Sequence, residues 1–393
     1  MVQLGAVGDV ARTLPAVSVL RAACPGAHLA WLVEPGAASL LAGQPWIDEV
    51  IVFPRPAFPG ALRGSQALRA RARCLLGLRA RRFDLVLDFH ALLRSALLAL
   101  ATGARRRVSF APPFARELAW ALATDRARLA PERISRFDRN EGLVRFLALE
   151  GRPAAHPLRV DPALRAAQRE QLGAGPAPIA IHPGTSDAAP HKRFPAPLFG
   201  RVARALADAT GLLTVVTHGP ARDDARLAEA VVAASAGAAR LAPATPRLGD
   251  LAALLSCARL VIGPDTGPLH VAALVGTPVV QVLGPTDPVE NAPWRGTPAR
   301  VVRARVRDEE VDADSAPGRR ADAGRADAEV DAALVARVVA AAGELLGSAA
   351  SERAATGALP AAARSSTCRG PATRRSPRSP SRCGPAPLFS SQP

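Results

Sequence analysis

The sequence predicts an α/β protein made of two doubly wound, Rossmann-like halves that face each other across a cleft. Three observations predict it. Short apolar runs alternate with helical patterns up to Leu149. The alternation stops at a stretch holding Gly151, Pro153 and Pro157, and a second series of the same kind then runs from Ile179 to Leu346. Strand–helix alternation builds parallel sheets covered by helices, and Gly and Pro punctuate the link.

In the first half, strands are expected at Val2–Leu4, His28–Val33, Glu49–Phe53, Leu85–Asp88 and Arg107–Phe110. Helices are expected at Val10–Ala23, Ala61–Ala80, Leu92–Ala101 and near Asn140–Leu149. In the second half the strands are Ile179–His182, Leu212–Thr217, Leu260–Gly263 and Pro278–Leu283. The helices there are Pro197–Thr210, Asp223–Ala234, Leu248–Ser256, Pro268–Val275 and a last one near Ala328–Leu346. The division is a first domain over 1–160, a second over 175–346 and a tail over 347–393. Ligands in such folds sit beyond the carboxyl ends of the strands, so those loops are where chemistry is sought.

Two segments fall outside this pattern. Residues 305–325 are rich in Asp, Glu and Arg without periodicity and read as a solvated loop. From about Ser348 the chain is rich in Ser, Pro, Arg and Ala, has little to bury, and is expected to be disordered. It reads as a bland tail, a basic tail for anionic surfaces, or a wrongly assigned gene end. The first strand begins almost at Met1, although strands usually run about five or six residues, which points to a start assigned late.

The 393 residues suffice for two cores, and 49% hydrophobic with 21% charged is an ordinary globular composition. The net charge of +16 favours acidic partners. Part of it is codon bias: there is no Tyr, one Met and one Lys, while Ala and Arg abound. Arginines spread thinly, without interleaved aromatics, argue against nucleic acid as a partner. Cys24, Cys74, Cys257, Cys368 and Cys383 show no metal or disulfide spacing, so no metal is expected and a reducing compartment fits. No signal peptide is visible and no apolar run reaches the ~18 residues of a membrane span, so the expectation is a cytoplasmic protein able to touch a membrane surface.

Gly263-Pro-Asp-Thr-Gly-Pro-Leu-His270 follows an apolar strand and opens a helix. Its free N–H groups and the helix dipole suit a phosphate, and Gly267 allows close backbone approach. His270 falls about one turn inside, able to reach back toward the same anion. The plainer reading has Asp265 capping the helix and His270 in the core. The runs Gly276-Thr-Pro-Val-Val and Gly284-Pro-Thr-Asp-Pro288 place a second polar loop beside it. His182-Pro-Gly-Thr-Ser-Asp187 ends another strand, and Lys192 follows as the only lysine in the chain. A compact ammonium differs from a planar guanidinium, so its survival suggests a tight phosphate site, with chance as the alternative. Thr185 and Ser186 offer hydroxyls, though both are ordinary turn residues. In the first half, Gly5-Ala-Val-Gly-Asp-Val10 follows the first strand. Asp9 reads either as a helix cap or as a carboxylate able to take a proton from an acceptor hydroxyl. Arg94 and Arg116 could hold an acidic acceptor by forked hydrogen bonds, or be surface arginines.

Taken together these residues resemble the ADP-heptose:lipopolysaccharide heptosyltransferases, glycosyltransferase family 9, over roughly residues 1–346. The resemblance rests on Gly8–Val10 with Thr13–Ala16, Arg116-Glu117, Lys192–Pro195, Asp265–His270 and Gly284–Pro288, in that order. It implies a GT-B fold with the acceptor on the first domain and ADP-heptose on the second. It further implies inverting transfer to a lipid A–core oligosaccharide at the inner membrane surface, by a monomer needing no cofactor or metal. Asp9 becomes the general base and Lys192 neutralises the donor phosphates. Thr266, Gly267 and His270, with Asp265, Thr185 and Ser186, bind the donor, and Asp223 holds its ribose. His90-Ala91 departs from the glutamine-glycine frequent at that place. The competing expectations are a sugar-nucleotide epimerase of the same build and a non-catalytic nucleotide-sugar binder.

Overall fold

A computed structural model describes residues 1–54, 65–131, 133–186, 189–304 and 332–357. The expected loop at 305–325 and the part of the expected tail beyond Gly357 lie outside the described residues. In chain order the first half contains α1 (Val7–Ala23), β1 (Ala30–Val33), α2 (Pro35–Leu41), β2 (Glu49–Val52) and α3 (Ser65–Ala80). It continues with β3 (Leu85–Leu87), α4 (Leu93–Ala101), β4 (Arg106–Phe110), β5 (Asp125–Ala127) and α5 (Arg136–Arg145). After the link come α6 (Pro162–Leu172), β6 (Ile179–Ile181), α7 (Ala196–Thr210), β7 (Thr214–Val216) and α8 (Arg222–Ala234). The last elements are β8 (Ala239–Leu241), α9 (Leu248–Cys257), β9 (Leu260–Pro264), α10 (Gly267–Leu274), β10 (Val279–Leu283), β11 (Ala299–Arg303) and α11 (Ala332–Gly357).

Every strand pairing is parallel, and both halves use one topology. The second half is a single sheet in the order β11-β10-β9-β6-β7-β8. In the first half β1 pairs β2, and β3-β4-β5 form a second ladder. Residues 1–4 join the two, because Val2 bridges both Leu32 and Asp88. Val2 N donates to Leu87 O at 2.8 Å and Phe89 N donates to Val2 O at 3.0 Å. Counting residues 1–4 as the first strand, each half therefore orders its strands 3-2-1-4-5-6. The strand order reverses between strands 1 and 4, which is where such sheets open a crevice for ligand. In the first half that point is flanked by Gly5–Asp9 and Asp88–Leu92, and in the second by His182–Ser186 and Asp265–Gly267.

The elements the sequence predicted are present with shifted ends. Helix α1 starts three residues earlier than expected, so Asp9 lies inside its first turn. Helix α5 starts at Arg136 rather than near Asn140. Helix α11 runs on to Gly357, past the expected start of the tail. The expectation omitted α2, α6, β5, β8 and β11. The signal for α6 was present: Asp161 accepts a hydrogen bond from Ala163 N at 2.8 Å as the N-cap, with Pro162 at the first helical position.

The two halves also share a core. Val10 and Leu14 of α1 are buried in one cluster with Leu254 of α9 and Leu269, Val271 and Ala273 of α10. α1 and α10 meet end to end at two glycines. A methyl on Gly267 would sit 3.1 Å from Gly8 N, and one on Gly8 would sit 3.4 Å from Gly267 Cα. The missing side chains let the two helix N-termini, and the loops they carry, touch.

Candidate active site

Asp9 is the third residue of α1, whose N-cap position belongs to Ala6 and carries no side-chain cap. The capping reading therefore falls away, and the half-buried carboxylate turns to cations. Its Oδ1 accepts from Arg12 Nη1 at 3.3 Å and from Arg136 Nη1 at 3.2 Å. Burial pushes the Asp9 pKa up, but the charges of Arg12, Arg136 and Arg139 outweigh burial and hold it below the ordinary carboxylate value.

Asp265 follows β9 directly and is not a helix cap either, since that place is taken by Thr266. Its Oδ1 accepts from Arg12 Nη2 at 3.1 Å and its Oδ2 from Lys192 Nζ at 2.6 Å. Burial alone would raise the Asp265 pKa. The Arg12 charge and the hydrogen bond from Lys192 hold it far below the usual range. A buried carboxylate so placed cannot itself face a diphosphate; it fixes the cations that can. Lys192 closes a 3-10 turn over Pro190–Lys192 and reaches from the loop after β6 to the loop after β9.

Arg12, which the sequence did not single out, ties the two halves together. Besides Asp9 and Asp265 it donates to Asn291 Oδ1 at 3.4 Å and lies 2.5 Å from His270 Nε2. A guanidinium has no acceptor, so Nε2 accepts and the His270 proton sits on Nδ1. Burial, and next the Arg12 charge, push the His270 pKa down to about 4, which fits a neutral ring. The imidazole also stands edge-on to Phe137, with centroids 5.9 Å apart. His270 thus turns inward to hold Arg12.

Other expected residues are placed unevenly. Thr266 and Gly267 are half-buried at the start of α10, beside Gly8. Thr185 is buried and its hydroxyl donates to Ala189 O at 3.2 Å, while Ser186 is exposed. Asp223 points to solvent, its side chain 77% exposed and paired with Arg226 at 3.4 Å, and is not brought to the site. Its neighbour Asp224 is brought there: a methyl on Gly184 would lie 3.4 Å from Asp224 Oδ1. Gly184 belongs to the loop after β6, so this carboxylate lies along the sheet's carboxyl edge.

On the first half a cavity of about 310 Å³ opens beside Asp9. Arg12, Arg116, Arg136 and Arg139 line it, facing Asp9 and Glu290 as acids, with His90 at its wall. Arg139 stacks 5.6 Å from the rings of Phe110 and Phe114, and burial, followed by the nearby Arg136 charge, lowers its pKa to about 10. Arg94 lies outside this cavity and pairs with Glu34 at 2.7 Å. The cationic lining suits an anionic ligand, and a carboxylate at the cavity wall is able to accept a proton. The loop after β10 closes the arrangement from the second half: Arg136 N donates to Glu290 O at 3.1 Å, and Arg133 Nε pairs with Asp287 at 2.7 Å.

Comparison with known proteins shows the family and the fold. The profile of "Glycosyltransferase family 9 (heptosyltransferase)" matches residues 71–315. The lipopolysaccharide core heptosyltransferase OpsX of Haemophilus influenzae is 24% identical over 75% of this chain and 81% of its own length. Lipopolysaccharide heptosyltransferase 1 of Salmonella typhimurium is 26% identical over 73% of this chain and 88% of its own. Among solved structures, the glycosyl transferase family 9 protein from Veillonella parvula superposes with a TM-score of 0.67 at 23% identity, covering 88% of this chain and 96% of that one. The E. coli heptosyltransferase WaaC with ADP gives 0.64 at 24% identity, covering 77% and 92%. These likenesses show the GT-B fold of two Rossmann-like domains. With a profile match over more than half its length, this chain belongs to glycosyltransferase family 9, the heptosyltransferases, and is a glycosyltransferase.

Proposed function

We propose that this protein transfers heptose from ADP-heptose to a lipopolysaccharide inner-core acceptor with inversion at the anomeric carbon. The observation that carries the reading is the chain Asp9–Arg12–Asp265–Lys192, which sets a carboxylate of the first half against a cation of the second. The names of the lipopolysaccharide heptosyltransferases it resembles supply the sugar and the acceptor class.

In this mechanism an acceptor hydroxyl lies in the arginine-lined cavity and attacks the anomeric carbon as the bond to the ADP β-phosphate oxygen breaks. Asp9 takes the hydroxyl proton. Its lowered pKa keeps it ionised at neutral pH, and it is a competent base because the hydroxyl becomes acidic only as the new bond forms. The charge leaving on the diphosphate is met by the Lys192 ammonium and by the amides that open α10. Attack and departure on opposite faces of the ring give inversion. The donor ribose goes to Asp224 rather than Asp223, because only Asp224 lies along the sheet edge.

The cavity beside Asp9 gives a second substrate a place, which an epimerase acting on the donor alone would not require. The test is ADP release from ADP-heptose with and without a lipid A–core acceptor. Release should depend on the acceptor and fall away in Asp9→Ala. Equal release without acceptor would remove the transferase reading. Action close to a membrane surface follows from a lipid-linked acceptor; among the described residues no helix is long and apolar enough to cross a bilayer.

A further inference from the structure

Helix α4 carries leucines on its outer side. Leu93, Leu97 and Leu100 stand at i, i+4 and i+7, which puts them on one helix face, and they are 41%, 50% and 42% exposed. Leu76 of the neighbouring α3 is 68% exposed, and Leu118, in the turn that packs on α4, is 66% exposed. Between α3 and α4 runs a groove of about 500 Å³ lined by Leu75, Leu93, Leu97, Leu98 and Ala101, with Arg94 and Glu117 at its lip. Single exposed leucines need no explanation, but a cluster around one groove does.

The charges around it say what would cover it. Arg69 and Arg73 are exposed and lie seven and three residues before Leu76, on its side of α3. Arg79 reaches the end of α4, where a methyl on Gly103 would lie 2.9 Å from Arg79 Nη1. The two nearby acids are engaged: Glu34 pairs with Arg94 at 2.7 Å, and Glu117 accepts from Leu93 N at 3.2 Å. Leucines rimmed by arginines match an anionic bilayer, where the apolar side chains enter the acyl boundary and the cations meet the headgroups.

Position supports the same partner. Leu92 and Arg116 line the cavity beside Asp9, and the very next residues, Leu93 and Glu117, line the groove. The groove and the cavity share a wall. We propose that the outer face of α3 and α4 is a docking surface for an anionic phospholipid bilayer, holding the Asp9 cavity beside lipid-borne acceptor. The purpose of the docking rests on the acceptor reading above; the docking itself does not.

The test is co-sedimentation of the full chain with vesicles of phosphatidylglycerol and phosphatidylethanolamine, against vesicles of phosphatidylcholine. The chain should bind the anionic vesicles, more weakly at high salt, and bind phosphatidylcholine poorly. The double variant Leu97→Glu, Leu100→Glu should lose at least about tenfold in partition, and so should Leu76→Glu on the other helix. Turnover on a core oligosaccharide stripped of its acyl chains should stay at the wild-type level in both, which reports that they fold. Vesicle binding that survives in these variants, or no binding by the wild type, overturns the proposal. A leucine-dependent dimer without vesicle binding overturns it too and assigns the face to a second copy. Leucine-dependent vesicle binding with no transfer to any core acceptor supports the docking surface and removes the acceptor reading instead.

Discussion

Arg12 and Asp265 stand 253 residues apart in sequence and 3.1 Å apart in space, both almost wholly buried. One guanidinium thereby joins Asp9 of the first half to the loop after β9 of the second. Removing one member of a buried ion pair costs about 3–5 kcal/mol, because the partner is left uncompensated. Lys192 still faces Asp265 in an Arg12→Ala variant, so the lower figure, about 3 kcal/mol, is expected by urea unfolding at neutral pH. Arg12→Lys should rescue little, since one ammonium cannot span Asp9, Asp265, His270 and Asn291.

The same pair sets the acid limb of stability. The folded pKa of Asp265 is depressed, so its contribution is fully present above the unfolded value of about 3.9 and is lost as pH falls through the folded pKa. Unfolding free energy measured from neutral to acid pH should fall in the wild type and fall less steeply in Arg12→Ala. Identical slopes would mean that Arg12 does not hold this carboxylate down.

The loops of this site were legible in the sequence because strand ends and helix starts were, and the strand-edge rule then picked them out. Gly5–Asp9 and Asp265–His270 were expected to face each other across a cleft; in the structure the helix ends that carry them touch at Gly8 and Gly267. Arg12, Arg136 and Arg139 were not legible: in a chain this rich in arginine no single one stands out, and α5 was expected to start after both Arg136 and Arg139. The three strands missed, β5, β8 and β11, all lie at sheet edges, where a strand need not be an apolar run. Asp223 and Asp224 both open α8, and only the fold shows that Asp224 is the one that turns inward.

Asp9 should act through turnover. Asp9→Asn keeps the size and polarity but cannot accept the proton, so kcat should fall about 10²–10⁴-fold while ADP affinity changes less than about twofold. Calorimetric ADP binding beside steady-state rates checks both. Loss of ADP binding equal to the loss in kcat would show Asp9 to be part of the donor site instead.

Arg136 should tune Asp9. Arg136→Ala removes one of the two hydrogen-bonded cations, so the Asp9 pKa should move back up toward the ordinary value. The proposed mechanism needs Asp9 ionised, so the acid limb of the kcat/KM profile should shift to higher pH. An unmoved limb would place the controlling ionisation elsewhere.

Lys192 should act on the donor. It is the only lysine, and its ammonium meets Asp265 at 2.6 Å from a short turn. Lys192→Ala should weaken ADP-heptose binding by about tenfold or more, the order expected for a lost charge-assisted contact. Lys192→Arg should restore only part of it, because the broader, planar head cannot occupy the same point. Full recovery in Lys192→Arg would make the surviving lysine an accident of composition.

The glycine contact between α1 and α10 tests whether the meeting of the two halves matters as such. A methyl on Gly267 would lie 3.1 Å from Gly8 N and 3.2 Å from Val7 Cγ1, tight enough that the helices must part by a few tenths of an ångström. Gly267→Ala should therefore cost about 1–3 kcal/mol, the range for overpacking a filled interface. It should also lower kcat, because parting α1 from α10 stretches the Arg12 contacts to Asp265 and His270. Gly8→Ala meets Gly267 Cα at 3.4 Å and Gly267 N and His270 Cδ2 at 3.7 Å, all ordinary contacts, and should be milder in both. If Gly267→Ala lost stability and kept its full kcat, the close approach of the two helix ends would serve packing alone.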